Sequence, residues 1–260
     1  MHAQDYVQAL ASQGRYHFTT AGAVQALGAS EPAVRAQLRR LKRKGLVASP
    51  LRSFHVVVPP EYQRLGCLPS EEFIDQLMAE LGEPYYVGLL SAAARHGAAH
   101  QRPQSLQVMV TKNRAPIECG QARIVFIARG DLERMPVSTF NTARGTVRYS
   151  SPEATALELV GYPRQAGGLS NVATVLSELG ESMKPTLLAE VAALCPVGWS
   201  QRLGYLLELV EQQDLADALA PHVEAHAASF TPLRRSASLA GAERVAKWML
   251  LVNTEVEPDE

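Results

Sequence analysis

Along the first 60 residues the apolar positions change period in an ordered way. From about Gln4 to Gln13, Tyr6, Val7 and Leu10 share one face at helical spacing, which predicts a helix. Tyr16–Phe18 has room only for a small strand. Thr19 or Thr20 can then cap a short helix, Ala21–Leu27, in which Val24 and Leu27 recur at helical spacing. Gly28 ends it, having no Cβ to oppose a left-handed turn. Ser30 is a good N-cap for a third helix, and Pro32 sits in its first turn, where a missing N–H costs nothing. This third helix, about Glu31–Lys44, places Val34, Leu38 and Leu41 at i, i+4 and i+7 on one inward stripe. Its opposite arc presents Arg35, Arg39 and Arg43, flanked by Arg40, Lys42 and Lys44. Gly45 stops it. Leu46–Ala48 and Phe54–Val58 read as two strands, joined by a turn containing Pro50, Arg52 and Ser53.

Helix, short helix, tight turn, basic helix and hairpin follow one another as in a winged helix-turn-helix. In that arrangement the second helix of the turn motif enters the major groove of DNA and the hairpin meets the neighbouring backbone. Arginine at the exposed arc pairs bidentately with guanine edges or phosphate. Short side chains at Ser30, Ala33 and Ala36 permit close approach. DNA contact is expected from Thr20, Ser30, Arg35, Arg39, Arg40, Arg43, Lys44, Arg52 and Ser53. Arg35 and Arg39 are the expected base readers, and Arg40, Arg43, Lys44 and Arg52 the phosphate contacts. The plain alternative is a solvated basic helix on an ordinary helical domain.

Pro59–Pro60 and Gly66–Pro69 separate this segment from the rest, giving expected domains at residues 1–60 and 70–260. Ser70 can cap a helix Glu71–Leu81, with Phe73, Ile74, Leu77 and Leu81 inward. A second helix is expected over about Tyr85–His96. Strands follow at Leu106–Thr111, Ile124–Ala128, Val137–Phe140 and Thr146–Tyr149. From Pro152 the pattern is mostly helical (152–161, 170–180, 186–194, 199–212 and 215–227), closing on a strand-like run, Trp248–Val252. Helices followed by clustered strands predict an α+β fold: an N-terminal winged helix-turn-helix and a larger mixed α/β C-terminal domain.

Charge alters this picture when it is divided along the chain. The total is −1 over 260 residues. Residues 1–58 carry eight basic side chains against two acidic ones, and residues 95–148 nine against three, so each segment is at +6. Residues 59–94 and 149–260 are acidic, at −5 and −8. Two positive segments inside a neutral chain point to a polyanion partner. In the second of them, Arg114, Arg123 and Arg129 are candidates for a further positive surface meeting DNA phosphate, RNA or an acidic partner face. Scattered strand and loop charges are the alternative.

Chemistry of other kinds finds little support. No phosphate loop GxxxxGK[ST], GxSxG elbow or CxxC pair occurs. Asp occurs only six times, never paired as two-metal phosphoryl transfer needs. His96 and His100 are four apart, but Gly97 breaks the helix between them and no Glu stands ready as a base, so a packed or capping His96 is expected and no metal site. Ser151-Pro152-Glu153 reads as a helix start, and Gly167–Gly168 as a loop pair. Cys67, Cys119 and Cys195 are odd in number and far apart, which disfavours a disulfide framework. With no signal peptide and no apolar window long enough to span a membrane, a cytoplasmic protein that is not an enzyme, uses no cofactor and does not meet a membrane is expected.

The later half resembles the AbiEi family, antitoxins of type IV toxin–antitoxin systems. The resemblance runs from about residue 85 to 253. It is carried by Tyr85-Tyr86-Val-Gly-Leu-Leu-Ser-Ala-Ala-Ala-Arg95-His96-Gly97 and the strand Val108–Val110. It continues through Val147-Arg148-Tyr-Ser-Ser-Pro152-Glu153-Ala-Thr155 and Gln201-Arg202-Leu-Gly204-Tyr205-Leu-Leu-Glu208, and closes with Lys247-Trp248-Met-Leu-Leu-Val-Asn253. It implies a transcriptional autorepressor that binds inverted repeats in its own promoter. It also implies an antitoxin acting against a nucleotidyltransferase-like toxin, with DNA handled by the first domain and antitoxicity by the second. Two rival functions stand beside it: a ligand-sensing winged-helix transcription factor without a toxin, and a module whose winged helix contacts protein only.

Overall fold

The computed structural model describes residues 2–98 and 103–258. It opens with helix α1 (Ala3–Ser12), strand β1 (His17–Thr19), helix α2 (Thr20–Leu27), helix α3 (Glu31–Arg43) and strands β2 (Val47–Ala48) and β3 (Phe54–Val57). These elements share one core. Tyr6, Val7 and Leu10 of α1, Ala23 of α2 and the stripe Val34, Leu38 and Leu41 of α3 close on Phe18, Val47 and Val57. The three strands form an antiparallel sheet in the order β1-β3-β2, with Phe18 opposite His55 and Val47 opposite Val57. Val24 and Leu27 pack against this core while partly exposed.

The caps of α2 are among those the sequence offers, while those at Ser30 and Ser70 differ. Thr19, not Thr20, caps α2: its side chain accepts from the Gly22 amide. Gly28 closes the helix at φ 59°, where a Cβ would be strained. Ser30 stands at the N-cap of α3 in extended backbone but makes no side-chain capping bond. Ser70 does not cap a long helix either. It begins a 3-10 turn, Ser70–Glu72, and donates to the Arg123 carbonyl, while helix α4 starts only at Ile74 and runs to Leu81.

The expected helix 85–96 splits. Tyr85–Val87 is strand β4, and only Leu89–Arg95 is helical, as α5. Two aromatics and a β-branched residue before Gly88 suit a fully buried strand, and a short apolar run has no period to reveal this. Strands β5 (Leu106–Val110), β7 (Ala122–Ala128), β8 (Val137–Thr142) and β9 (Gly145–Ser150) match the expected ones, and β6 (Ile117–Cys119) is an addition. The six strands β4–β9 form one sheet in the order β6-β7-β5-β4-β9-β8. The β5–β7 and β4–β9 pairs are parallel and β6–β7 is antiparallel.

Helices α6 (Pro152–Gly161), α7 (Leu169–Leu179), α8 (Pro185–Ala192), α9 (Val197–Leu209) and α10 (Gln213–His226) follow. A small sheet ends the chain: β10 (Thr231–Pro232), β11 (Glu243–Val245) and β12 (Leu250–Val252), in the order β10-β12-β11. The fold is α+β, as the sequence predicts. It divides into two compact units, Met1–Tyr86 with Gln104–Leu132 and Thr139–Arg148, and Val87–Pro103 with Glu133–Ser138 and Tyr149–Glu260. Among the described residues no helix is long and apolar enough to cross a membrane.

Candidate nucleic-acid interface

Helix α3 hides its aliphatic stripe so completely that its cations are forced outward. Val34 is fully buried and Leu38 and Leu41 nearly so, whereas Arg39, Arg40, Lys42, Arg43 and Lys44 are exposed, as are Arg52 and Ser53 in the β2–β3 turn. Among the described residues no carboxylate pairs with any of these six cations. A cleft of about 510 Å³ is lined by Thr20, Glu31, Pro32, Arg35, Leu38, Arg39, Lys42, Arg52 and His55. It thus brings together the expected Arg35, Arg39 and Arg52 and adds Lys42 and His55. Arg43, Lys44, Arg40, Ser30 and Ser53 lie outside its lining. Arg40 is about 100° round the helix from Arg39, so both cannot face one groove floor. Arg40, Lys42 and Arg43 also occupy the last turn of α3, where positive charge complements the helix dipole.

Arg35 is the one cation of the set already engaged. Its Nε and Nη2 both meet Glu31 Oε1, at 2.7 and 2.6 Å, with the side chain still 37% exposed. An exposed pair of this spacing is worth only about 0.3–0.5 kcal/mol, so a guanine edge or phosphate outcompetes it. Glu31 therefore holds Arg35 in place without consuming it.

Beneath the cleft lies a polar chain that no local pattern announces. Thr20, 6% exposed, places Oγ1 2.9 Å from His55 Nε2, and Ser49 Oγ is 2.5 Å from His55 Nδ1. A neutral imidazole satisfies both hydroxyls, one ring nitrogen donating and the other accepting. Burial, then the positive charges of Lys42 and Arg35, pushes the His55 pKa down to about 4. The Thr20 backbone N–H also donates to the Ser53 carbonyl, tying the start of α2 to the hairpin turn. Thr20 thus supports the cleft from below, its hydroxyl directed to His55.

The other positive segment is differently arranged. Arg114 donates through Nε to Glu83 Oε2 at 2.7 Å. The Arg129 side chain is 2% exposed and donates to both oxygens of Asp131. Arg144 is bonded to Glu72 and Glu61 and stacks over the Tyr16 and Tyr62 rings, and Arg148 lies over Tyr85. Of the three expected members, Arg123 alone is exposed. They do not assemble into one open cationic face.

Two cysteines far apart in sequence are neighbours in space. Gly120 approaches Leu65–Cys67 so closely that a Cβ there would lie 2.3 Å from the Leu65 carbonyl oxygen. Cys67 and Cys119 are free thiols joined by a hydrogen bond, which lowers the Cys119 pKa to about 7 while Cys67 is raised. His96 donates from Nε2 to the Ser150 carbonyl at 2.8 Å, a packing role. His100 and Arg102 lie outside the described residues. Among the described residues no three His, Cys, Asp or Glu side chains gather as a metal site.

The segments that carry the family resemblance are framework. Ser151 caps α6 by accepting from the Ala154 amide, and Ser150 and Thr155 share a buried hydroxyl contact of 2.7 Å. Glu153 accepts from the Lys184 amide. Gln201 donates to the Met249 and Ser229 carbonyls, and Trp248 Nε1 donates to Glu208. Gly204 is required where it stands, because a Cβ would lie 2.1 Å from the Trp248 ring.

The geometry defines an α+β protein with an exposed cationic helix in its first unit and a helical second unit closed by a small sheet. Residues 86–209 match the family model described as AbiEi antitoxin C-terminal domain, and this match supports an AbiEi-family antitoxin. No curated protein matches the chain. Among solved structures, the RV2827C protein from Mycobacterium tuberculosis is similar in fold, with a TM-score of 0.68 at 17% identity, covering 96% of this chain and 90% of that one. An antigenic nucleotidyltransferase-like protein from Paracoccidioides brasiliensis gives a TM-score of 0.38 at 15% identity over 57% of this chain and 89% of that one, a likeness too slight to carry an argument.

Proposed function

We propose that the chain is a DNA-binding autorepressor and antitoxin of a type IV toxin–antitoxin system. In this reading residues 1–60 form a winged helix-turn-helix whose α3 enters the major groove of inverted repeats in the chain's own promoter. Residues 70–260 counteract a nucleotidyltransferase-like toxin. The protein acts in the cytoplasm and is not an enzyme.

The observation that carries the DNA reading is the set of exposed cations on α3 and the hairpin turn that no carboxylate neutralises. Repelling charges left in proximity favour a polyanion, and each phosphate they neutralise releases counterion. Arg35 and Arg39 read bases; Arg40, Arg43, Lys44 and Arg52 hold phosphate, with Lys42 joining them at the cleft. The AbiEi domain supports the antitoxin half.

The test is a band-shift titration of the full chain on the DNA upstream of its gene, against a scrambled duplex of equal length. Preferential retardation of the upstream duplex is expected. Equal affinity for both, or none for either, would remove the autorepressor role and favour a winged helix that contacts protein. For the antitoxin half, co-expression with the product of an adjacent nucleotidyltransferase-like gene should restore growth that the toxin alone arrests.

A further inference from the structure

The second unit contains a cavity of about 500 Å³ whose lining is cationic. Arg164, Arg202, Arg234 and Arg235 face it, and Glu255 is the only acidic side chain among its lining residues. Three features meet there. The first is the start of α7, an eleven-residue helix whose N-cap is Gly168 and which no side chain caps. The pair Gly167–Gly168, at φ 79° and 100°, turns the chain into this helix, and nothing lies within 4 Å of where a Gly168 Cβ would be. Asn171, the nearest amide side chain, donates instead to the Ala166 carbonyl. The Glu257 amide donates to Ser170 Oγ in this first turn, and the positive end of the α7 dipole, uncapped by any side chain, faces the cavity.

The second feature is independent of the helix. Arg202 is 3% exposed, yet no carboxylate accompanies it among the described residues. Its Nε donates to the Pro232 and Leu233 carbonyls and its Nη1 to the Gly198 carbonyl, all neutral acceptors. Nη2 has no acceptor among the described residues. Burial and the neighbouring Arg235 charge depress its pKa to about 10. A buried cation whose only acceptors are neutral carbonyls is costly, and an anion in the cavity that Arg202 lines would offset that cost. The third feature is the wall: Tyr162, Pro163, Leu169 and Leu233 supply apolar surface beside the charges, as small-molecule sites do.

We propose that this cavity is a binding site for a phosphorylated small molecule of mononucleotide size, its phosphate held by the α7 N-terminus, Arg202 and Arg235. Four guanidiniums against one carboxylate suit a multiply charged phosphate better than a single carboxylate ligand. The volume falls within the range of cofactor and nucleotide pockets, about 300–1,000 Å³. The Gly-Gly turn lets a phosphate approach the backbone amides of Leu169 and Ser170 without a side chain in the way. This site stands apart from the DNA reading, since every residue in it belongs to the second unit.

The experiment is calorimetric titration of the full chain with adenosine 5′-monophosphate, inorganic phosphate and adenosine. Binding is expected for the nucleotide, weaker binding for phosphate and none for adenosine. If phosphate binds as tightly as the nucleotide, the cavity holds the free anion and the nucleotide-sized part of the proposal falls. Arg202→Met removes three framework bonds and can unfold the protein, so two gentler variants carry the test. Ser170→Asp places a negative charge on the first turn of α7, which suits the helix and repels the ligand. Arg235→Glu reverses an exposed rim charge. Each should weaken nucleotide binding by about tenfold or more while the melting temperature of the free protein holds. A control with Arg39→Ala and Arg43→Ala should bind the nucleotide unchanged. No binding of phosphate or nucleotide at millimolar concentration would overturn the proposal. So would unchanged binding by Ser170→Asp, or loss confined to the α3 control.

Discussion

Residues 1–58 and 95–148 carry the same net charge, +6, and the structure uses it in two different ways. In the first segment the cations stand on one short helix whose other face is aliphatic, with the carboxylate of Glu31 close enough to engage only Arg35. In the second, Arg114, Arg129, Arg144 and Arg148 close on Glu83, Asp131, Glu72 and Glu61 or on a tyrosine ring, and the exposed Arg123 stands apart from them on another strand. Net charge counts both segments alike, but among the described residues the first gathers its exposed cations on one helix and hairpin turn, whereas the second has several of its guanidiniums paired. A surface field depends on which charges lack a partner, and that is decided by packing.

The largest effect that would sharpen this contrast is on stability. Arg129→Ala removes a buried side chain bonded to Asp131 and should destabilise the fold by about 2–3 kcal/mol, read by denaturant unfolding. The folded fraction should retain its DNA affinity. A stable Arg129→Ala protein with weakened DNA binding would reverse the roles given to the two segments. Next, Arg39→Ala should cost about 1–3 kcal/mol on the upstream duplex and relax sequence preference. Equal losses on specific and scrambled DNA would make Arg39 a phosphate contact instead.

A pH effect of similar size should come from His55. Its pKa is near 4 in the folded chain against an ordinary value of 6.5, so the unfolded chain takes up the proton first. Stability is therefore intact above about pH 6.5, falls as pH drops toward 4, and loses at most about 3 kcal/mol from this group. Replacing His55 with Asn should flatten that part of the stability–pH curve. A curve of unchanged slope between pH 6.5 and 4 would show that His55 charges freely. The smallest effect is expected from Arg123→Glu, the exposed member of the second segment, which should leave affinity for the upstream duplex within about threefold.

What the sequence reveals depends on how local the cause is. The inward stripe and outward cations of α3 repeat every three or four residues, so both faces are legible from the order of residues alone. So are Gly28 as a helix end and Ser151 as a helix start, each acting on its immediate neighbours. Thr20 reads as a DNA contact in sequence because the partner that claims its hydroxyl, His55, is 35 residues away on a paired strand. Arg114 has its carboxylate 31 residues away, at Glu83. Tyr85–Val87 reads as helix because a fully buried run lacks the alternation that betrays a strand. The cavity around Arg202 is invisible in sequence for the same reason as the Cys67–Cys119 contact: its walls come from separate stretches of chain that only folding assembles.

The most direct test of α3 as the DNA-binding surface is the salt dependence of binding to the upstream duplex for the wild type, an Arg39→Ala/Arg43→Ala variant and Arg123→Glu. A steep dependence is expected for the wild type, a slope reduced by about 1–2 for the α3 variant, and a wild-type slope for Arg123→Glu. Equal slopes for the wild type and the α3 variant, with a reduced one for Arg123→Glu, would place the nucleic-acid surface in the other segment and contradict the role given to α3.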